Sequence, residues 1–307
     1  MIDRPRVVLA GGSGFLGRAL ADVLAARGYE PVVLSRSPSG ASEYRQLAWD
    51  GRTPGPWVET LDGARAIVNL TGKSIDCRYT PENRRLILSS RVDSVKALAA
   101  GLARCAAPPA VWVQCSAVAY YGNGGDTIFE ESSPPGSGFS SEVCAAWEAA
   151  LAAADEVPIR KLPLRIGIVL DRHGGALPKL ERIVRSFLGG ASGSGRQYVS
   201  WIHLADLLEM FVWALERDLR GPFNATAPAP VTNAQLMSAL RAGLHRPWSP
   251  PVPAPFVKVG ATLMGTEAEL ALNSTRAVPK HFLESGFQFR FPELHAAMAD
   301  LYPRYPR

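Results

Sequence analysis

The short run RVVLA (6–10) is followed at once by GGSGFLG (11–17), and a helix-like pattern begins at Phe15. This spacing, G-x-x-G-x-x-G at Gly11, Gly14 and Gly17, constrains the fold more than any other feature of the chain. A glycine at the turn allows backbone angles that a side chain resists. A second lets the backbone approach a phosphate group, and a third lets helix pack closely on strand. The helix N-terminus then presents unpaired N–H groups and partial positive charge. Such a turn belongs between a buried parallel strand and its crossover helix. The start of the chain therefore predicts an α/β architecture that holds a phosphate-rich ligand.

The next 150 residues keep that rhythm. A helix is expected from Phe15 to about Arg27, with Gly28 placed to end it. PVVLS (31–35), QLAWD (46–50) and AIVNLTG (66–72) read as strands. Thr80-Pro81-Glu82 offers a capping hydroxyl, a proline at the first helical position and a carboxylate near the positive helix end, so a helix should run from there to about Arg104. VWVQCSA (111–117) is another buried strand, 141–154 a helix, and LPLRIGIVL (162–170) reads as one sixth strand. This is the pattern of a doubly wound parallel sheet with helices on both faces. Beyond residue 170 the alternation weakens. A returning strand is expected at GPFNAT (221–226), a helix opening at Thr232 or Asn233, and a rigid connector at PWSPPVPAP (247–255). The expected organisation is a ligand-binding α/β domain over 1–170, a substrate-side region over 171–250 and a small C-terminal domain over 251–307.

Composition narrows the function. At 47% hydrophobic and 20% charged residues, the chain is not disordered. It holds no apolar run near the ~18 residues a membrane span needs, and no secretory signal region. The four cysteines (Cys77, Cys105, Cys115, Cys144) form no C-x-x-C pair, which argues against a zinc or disulfide frame. A cytoplasmic, membrane-free protein is expected. Residues 1–109 hold 15 Lys/Arg and 10 Asp/Glu, the whole of the +5 net charge. Those cations are scattered, without the basic, aromatic stripe of a nucleic-acid surface. A small phosphate-rich ligand fits better.

A dinucleotide site usually carries an acidic residue at the end of its second strand, where it binds the ribose 2′-hydroxyl. Here that position reads Ser35-Arg36, and Glu30 lies at the other end of the strand. A guanidinium beside a hydroxyl suits a 2′-phosphate, so NADP is expected in preference to NAD.

With NLTG after the fourth strand, CSAVAYYG after the fifth and WIHLADL near residue 204, the chain resembles the extended short-chain dehydrogenase/reductase superfamily. LILSSRVDS (86–94), AAWEAA (145–150), LRIGIVLDRHGGAL (164–177), GSGRQYVSWIHLADL (193–207) and AVPKHFLESGFQFRFPEL (277–294) resemble its sugar-nucleotide epimerase-like subgroup, which ends in a short C-terminal domain. The resemblance implies a Rossmann fold. It implies a pyrophosphate held by Gly11, Ser13, Gly14, Phe15 and Leu16, with Gly17 completing the turn, and a 2′-phosphate held by Ser35 and Arg36. Leu70, Thr71 and Gly72 would line the adenine and ribose side, and Arg91 and Arg165 match positions near the cofactor. Lys73 is given no role. His203 and Asp206 are expected to fix a loop and a helix start.

The superfamily's catalytic pattern is a serine with Tyr-x-x-x-Lys, the tyrosine acting as acid/base and the lysine lowering its pKa. Ser116 matches the serine. None of the eight tyrosines has a lysine four residues on, and Phe139 and Val143 fall where the pair is expected. Tyr121 is the best remaining proton donor, with Tyr120 beside it; the alternative for both is packing at the cleft mouth. Two functions stay open. One is an NADP-dependent oxidoreductase or epimerase acting on a small, nucleotide-linked or other substrate. The other is a cofactor sensor without turnover, in keeping with the division-inhibitor labels of some relatives.

Overall fold

The computed structural model describes residues 4–155 and 158–305. From the N-terminus the elements are β1 (Arg6–Ala10), α1 (Phe15–Ala26), β2 (Glu30–Ser35), β3 (Arg45–Ala48), β4 (Ala66–Asn69), α2 (Pro81–Leu102), β5 (Val111–Ala117), β6 (Ile128–Phe129), α3 (Phe139–Ala152) and β7 (Arg160–Ile166). There follow β8 (Ile168–Asp171), β9 (Gly174–Gly175), α4 (Leu177–Arg185), β10 (Tyr198–Val199), β11 (Trp201–His203), α5 (Leu204–Glu216) and β12 (Phe223–Ala225). The chain closes with β13 (Val231–Thr232), α6 (Asn233–Gly243), α7 (Ala254–Leu263), α8 (Glu269–Leu272), β14 (Arg276–Ala277), α9 (Lys280–Glu284) and α10 (Leu294–Leu301).

Seven strands form one parallel sheet in the order β3-β2-β1-β4-β5-β7-β12. The order reverses between β1 and β4, which opens a crevice at their carboxyl ends. Local signals set the elements as expected. Thr80 caps α2 by accepting from Asn83 N, and Thr232 caps α6 in a reciprocal box with Gln235. Gly28 ends α1 at φ +85°. The first-turn proline and the cap of α2 place its long body alongside α3.

The run 162–170 departs from expectation: it is two strands, not one. At Gly167 the chain leaves the main sheet. Gly167 N donates to Ala225 O, whereas Ile168 N donates to Ser200 O, so β8 pairs with β11 instead of β12. Glycine is required at this switch, because a Cβ there would lie 2.7 Å from Ser200 O.

The main hydrophobic core lies in and against the parallel sheet and includes Phe282 and Phe287 from the C-terminal region. A second cluster is centred on α4, α6 and α10. The proline-rich connector is pinned by Val252, whose N donates to Ala191 O and whose O accepts from Gly193 N. Asp206 on α5 holds the C-terminal segment, accepting from Arg290 N and Phe291 N at 2.9 Å each. His203 caps α5 through Nδ1, which accepts from Ala205 N.

Candidate active site

A cleft of about 490 Å³ opens where β1, β4, β5 and β7 end, with α1, α2 and α3 as its other walls. The three glycines of the turn have separate duties. Gly11 adopts φ +74°, and a Cβ on it would lie 2.9 Å from Thr71 Oγ1. Gly17 packs on Gly12, whose Cα would be 2.4 Å from an added Cβ. Gly14 lines the cleft at an ordinary φ of −74°, where an added Cβ would meet nothing nearer than Gly11 O at 3.7 Å. Gly14 is the N-cap of α1, with no capping side chain and no acid in the first turn. The first helical bond is Arg18 N to Gly14 O, so the preceding amides have no intrahelical acceptor. Phe15, Leu16 and Gly17 line the same cleft.

At the end of β2, Ser35 Oγ donates to Ser13 Oγ at 3.1 Å and accepts from Ser37 N. Arg36 is exposed beside them. Glu30 is at the far end of β2, 3.7 Å from Arg6. Leu70 and Gly72 line the cleft, and Thr71 Oγ1 is buried without a protein partner. Arg91 also lines it: its Nη1 donates to the carbonyls of Lys73 and Ile87, and its guanidinium lies 5.0 Å from the Trp147 ring centre. Burial lowers its pKa.

On the opposite wall, Ser116 at the end of β5 donates from Oγ to Glu148 Oε1 at 2.7 Å. Glu148, on α3, is gripped by Arg165 through Nε at 2.9 Å and Nη2 at 2.7 Å. That carboxylate is the residue that sequence reasoning missed. Its signal was available, as the one acid in the AAWEAA block. Phe139 and Val143 do line the cleft. Burial pushes the thiols of Cys115 and Cys144 up to about 12 and about 11, so neither is a nucleophile at neutral pH.

Two expectations are corrected here. Tyr121 is not a free proton donor: its hydroxyl donates to Asn224 Oδ1 at 2.7 Å and accepts from Arg165 Nη1 at 2.9 Å. It is 2% exposed, and burial pushes it up to about 12. Tyr120 is a platform whose ring centre lies 3.6 Å from the Arg165 guanidinium. Arg165 in turn is buried between Glu148, Tyr121 and Glu131 O and is not among the residues that line the cleft. Its role is to hold Glu148.

Residues 7–225 match the model of the NAD dependent epimerase/dehydratase family. The chain belongs to that family. Residues 252–301 match a second model, described as a domain of unknown function (DUF1731). The mouse epimerase family protein SDR39U1 is 36% identical over 303 residues, covering 96% of this chain and 99% of that protein. A crystal structure of human SDR39U1 (isoform 2) with NADPH superposes at a TM-score of 0.85 and 32% identity, over 97% of this chain and 99% of that one. A nucleoside-diphosphate sugar epimerase from Corynebacterium glutamicum reaches 0.80 at 32% identity, over 98% of this chain and 59% of that one. Among the described residues no helix is long and apolar enough to cross a membrane, and no cluster of metal-ligating side chains occurs.

Proposed function

We propose that this epimerase-family protein binds NADP(H) in the cleft and acts on the oxygen-bearing carbon of a small molecule held against Ser116. The observation that carries the reading is the uncapped α1 N-terminus, open to the cleft at Gly14 and flanked by Ser13, Ser35 and Arg36. The residues present fit the cofactor. The unpartnered amides suit a pyrophosphate, and the exposed Arg36 suits a 2′-phosphate. NADPH in the human relative's structure supports the same assignment.

When bound, the cofactor supplies or accepts a hydride. This chain's own residues do the rest. Ser116 Oγ reaches the cleft with its proton donated to Glu148, which fixes its orientation and leaves its lone pairs to accept from a hydroxyl on the reacting carbon. Arg165 holds that carboxylate in place through Nε and Nη2. Phe139 and Val143 cannot ionise, so proton exchange falls to Ser116, backed by Glu148, or to water. The lack of an ionisable pair on that wall also favours a second reading, in which the protein senses NADP(H) without turnover.

Gly14→Val tests the site. A Cβ at this position meets nothing nearer than Gly11 O at 3.7 Å, and the side chain takes space in the cleft. The variant should keep its circular dichroism spectrum and lose NADPH binding in a fluorescence titration. Unchanged binding would move the cofactor elsewhere. Turnover of NADPH across a carbonyl panel, abolished by Ser116→Ala, separates enzyme from sensor.

A further inference from the structure

A second cavity, of about 300 Å³, lies where the β8–β9 turn, α4, the end of α6 and the residues after α10 meet. It shares no lining residue with the cleft around Ser116. Its lining is of two kinds. Arg172, Arg185 and Arg304 are cationic, with the ionisable His245 beside them, while Leu244, Tyr302 and Pro303 are apolar or aromatic. Among the described lining residues there is no acid.

The carboxylate that holds two of these arginines is Glu181, which is buried on α4 and does not line the cavity. It accepts from Arg172 Nε at 3.2 Å, Arg185 Nη2 at 3.3 Å and the Tyr302 hydroxyl at 2.7 Å. The Arg172 guanidinium also lies 5.1 Å from the Tyr302 ring centre. Arg172 and Arg185 are thus fixed, yet Arg172 keeps both Nη groups without a protein partner among the described residues. Arg304 is exposed and forms no hydrogen bond or ion pair among them. Three guanidiniums against one carboxylate leave a surplus of two positive charges. Like charges gathered at one cavity repel each other, and an anion among them relieves that repulsion. His245 adds an independent sign. It closes α6 at φ +52°, a left-handed position that glycine usually fills at lower cost, and so brings an imidazole to the cavity. The carbonyls of Leu240, Arg241 and Ala242 at that helix end already accept from the amides of Leu244, Arg246 and His245.

From this geometry we infer a second ligand site, which takes a small organic phosphate monoester. It stands apart from the cleft and does not depend on NADP(H) binding there. Guanidiniums grip phosphoryl oxygens with paired donors, and the phosphate dianion matches the surplus of two positive charges. Arg172, Arg185 and Arg304 hold the phosphoryl group, and Leu244, Tyr302 and Pro303 take the organic body. The cavity is at the lower end of the volumes that hold small molecules, so the ligand is no larger than a single ring or a short chain beside its phosphate.

The test uses the whole protein and three probes in calorimetry: phenyl phosphate, inorganic phosphate and benzoate. Phenyl phosphate should bind about ten-fold more tightly than benzoate, which offers the ring with a single charge, and more tightly than inorganic phosphate, which offers the charge without the ring. Arg304→Gln and Arg185→Gln should each weaken phenyl phosphate about ten-fold, the worth of one charge-assisted hydrogen bond. Arg304→Gln should also melt at the parent temperature, since its guanidinium holds nothing in the fold. Gly14→Val, which alters the other cleft, should leave the affinity as it was. No binding of phenyl phosphate, benzoate or inorganic phosphate binding as tightly, or an affinity that both arginine variants leave untouched would overturn the inference. So would binding that Gly14→Val abolishes and the arginine variants spare, because the anion would then sit at the glycine turn.

Discussion

Removing one hydroxyl, by Tyr121→Phe, separates a structural tyrosine from a catalytic one. The change leaves Asn224 and Arg165 each short of a buried partner, so it should cost about 1–3 kcal/mol in a urea titration. NADPH affinity should stay as it was, because the ring is behind the cleft wall. The same group gives a pH dependence. Its pKa rises from 10.0 in the unfolded chain to about 12 in the fold. Its contribution is therefore fully present below pH 10 and lost as pH rises toward 12. The stability of Tyr121→Phe should fall less over that window than that of the parent chain. Glu148→Ala should be more severe, at about 3–5 kcal/mol, since it leaves Arg165 buried and unpaired. Local text was enough to place the glycine turn between β1 and α1, Ser35-Arg36 at the end of β2 and Ser116 near the end of β5. It could not show that Tyr121 answers to Asn224, 103 residues on, or that Ser116 answers to Glu148 across the β5–α3 interface.

Elements with their own start and stop signals were legible: Thr80 before α2, Thr232 before α6 and Gly28 after α1 all act where the sequence placed them. The strand at 162–170 was not, because an apolar run looks the same whether or not it changes partners midway. The break at Gly167 is set by Ser200 and Ala225, which lie far along the chain. The β1–α1 unit offers a contrast that isolates packing from ligand contact. Gly17→Ala forces a Cβ against the Gly12 backbone at 2.4 Å, so β1 and α1 must part. A cost of about 1–3 kcal/mol is expected in thermal melting. Gly14→Val meets no such contact and should melt near the parent temperature.

At the scale of the molecule, the C-terminal region is bound into the main core. Phe282, fully buried, packs edge-on against Phe223 of β12. Phe282→Ala should therefore destabilise the whole chain by about 3–5 kcal/mol, and melting should remain a single transition. Two steps, with the parallel sheet unaffected, would show that the region folds apart. The sequence signalled this region as a block of text, but its apolar spacing could not tell which core it joins. It also hid that Glu267 and Glu269 accept hydrogen bonds from Tyr79 N and Ser140 Oγ, far earlier in the chain. The proposed function requires NADP(H) in the cleft around Ser116, with Arg36 and the hydroxyl of Ser35 reading the 2′-phosphate. The direct measurement is a paired fluorescence titration of NADPH and NADH into the parent chain and Arg36→Ala. NADPH should bind at least ten-fold more tightly to the parent, a difference of about 1.4 kcal/mol, and the preference should collapse in the variant. Equal affinities in the parent, or a preference that survives Arg36→Ala, would contradict it.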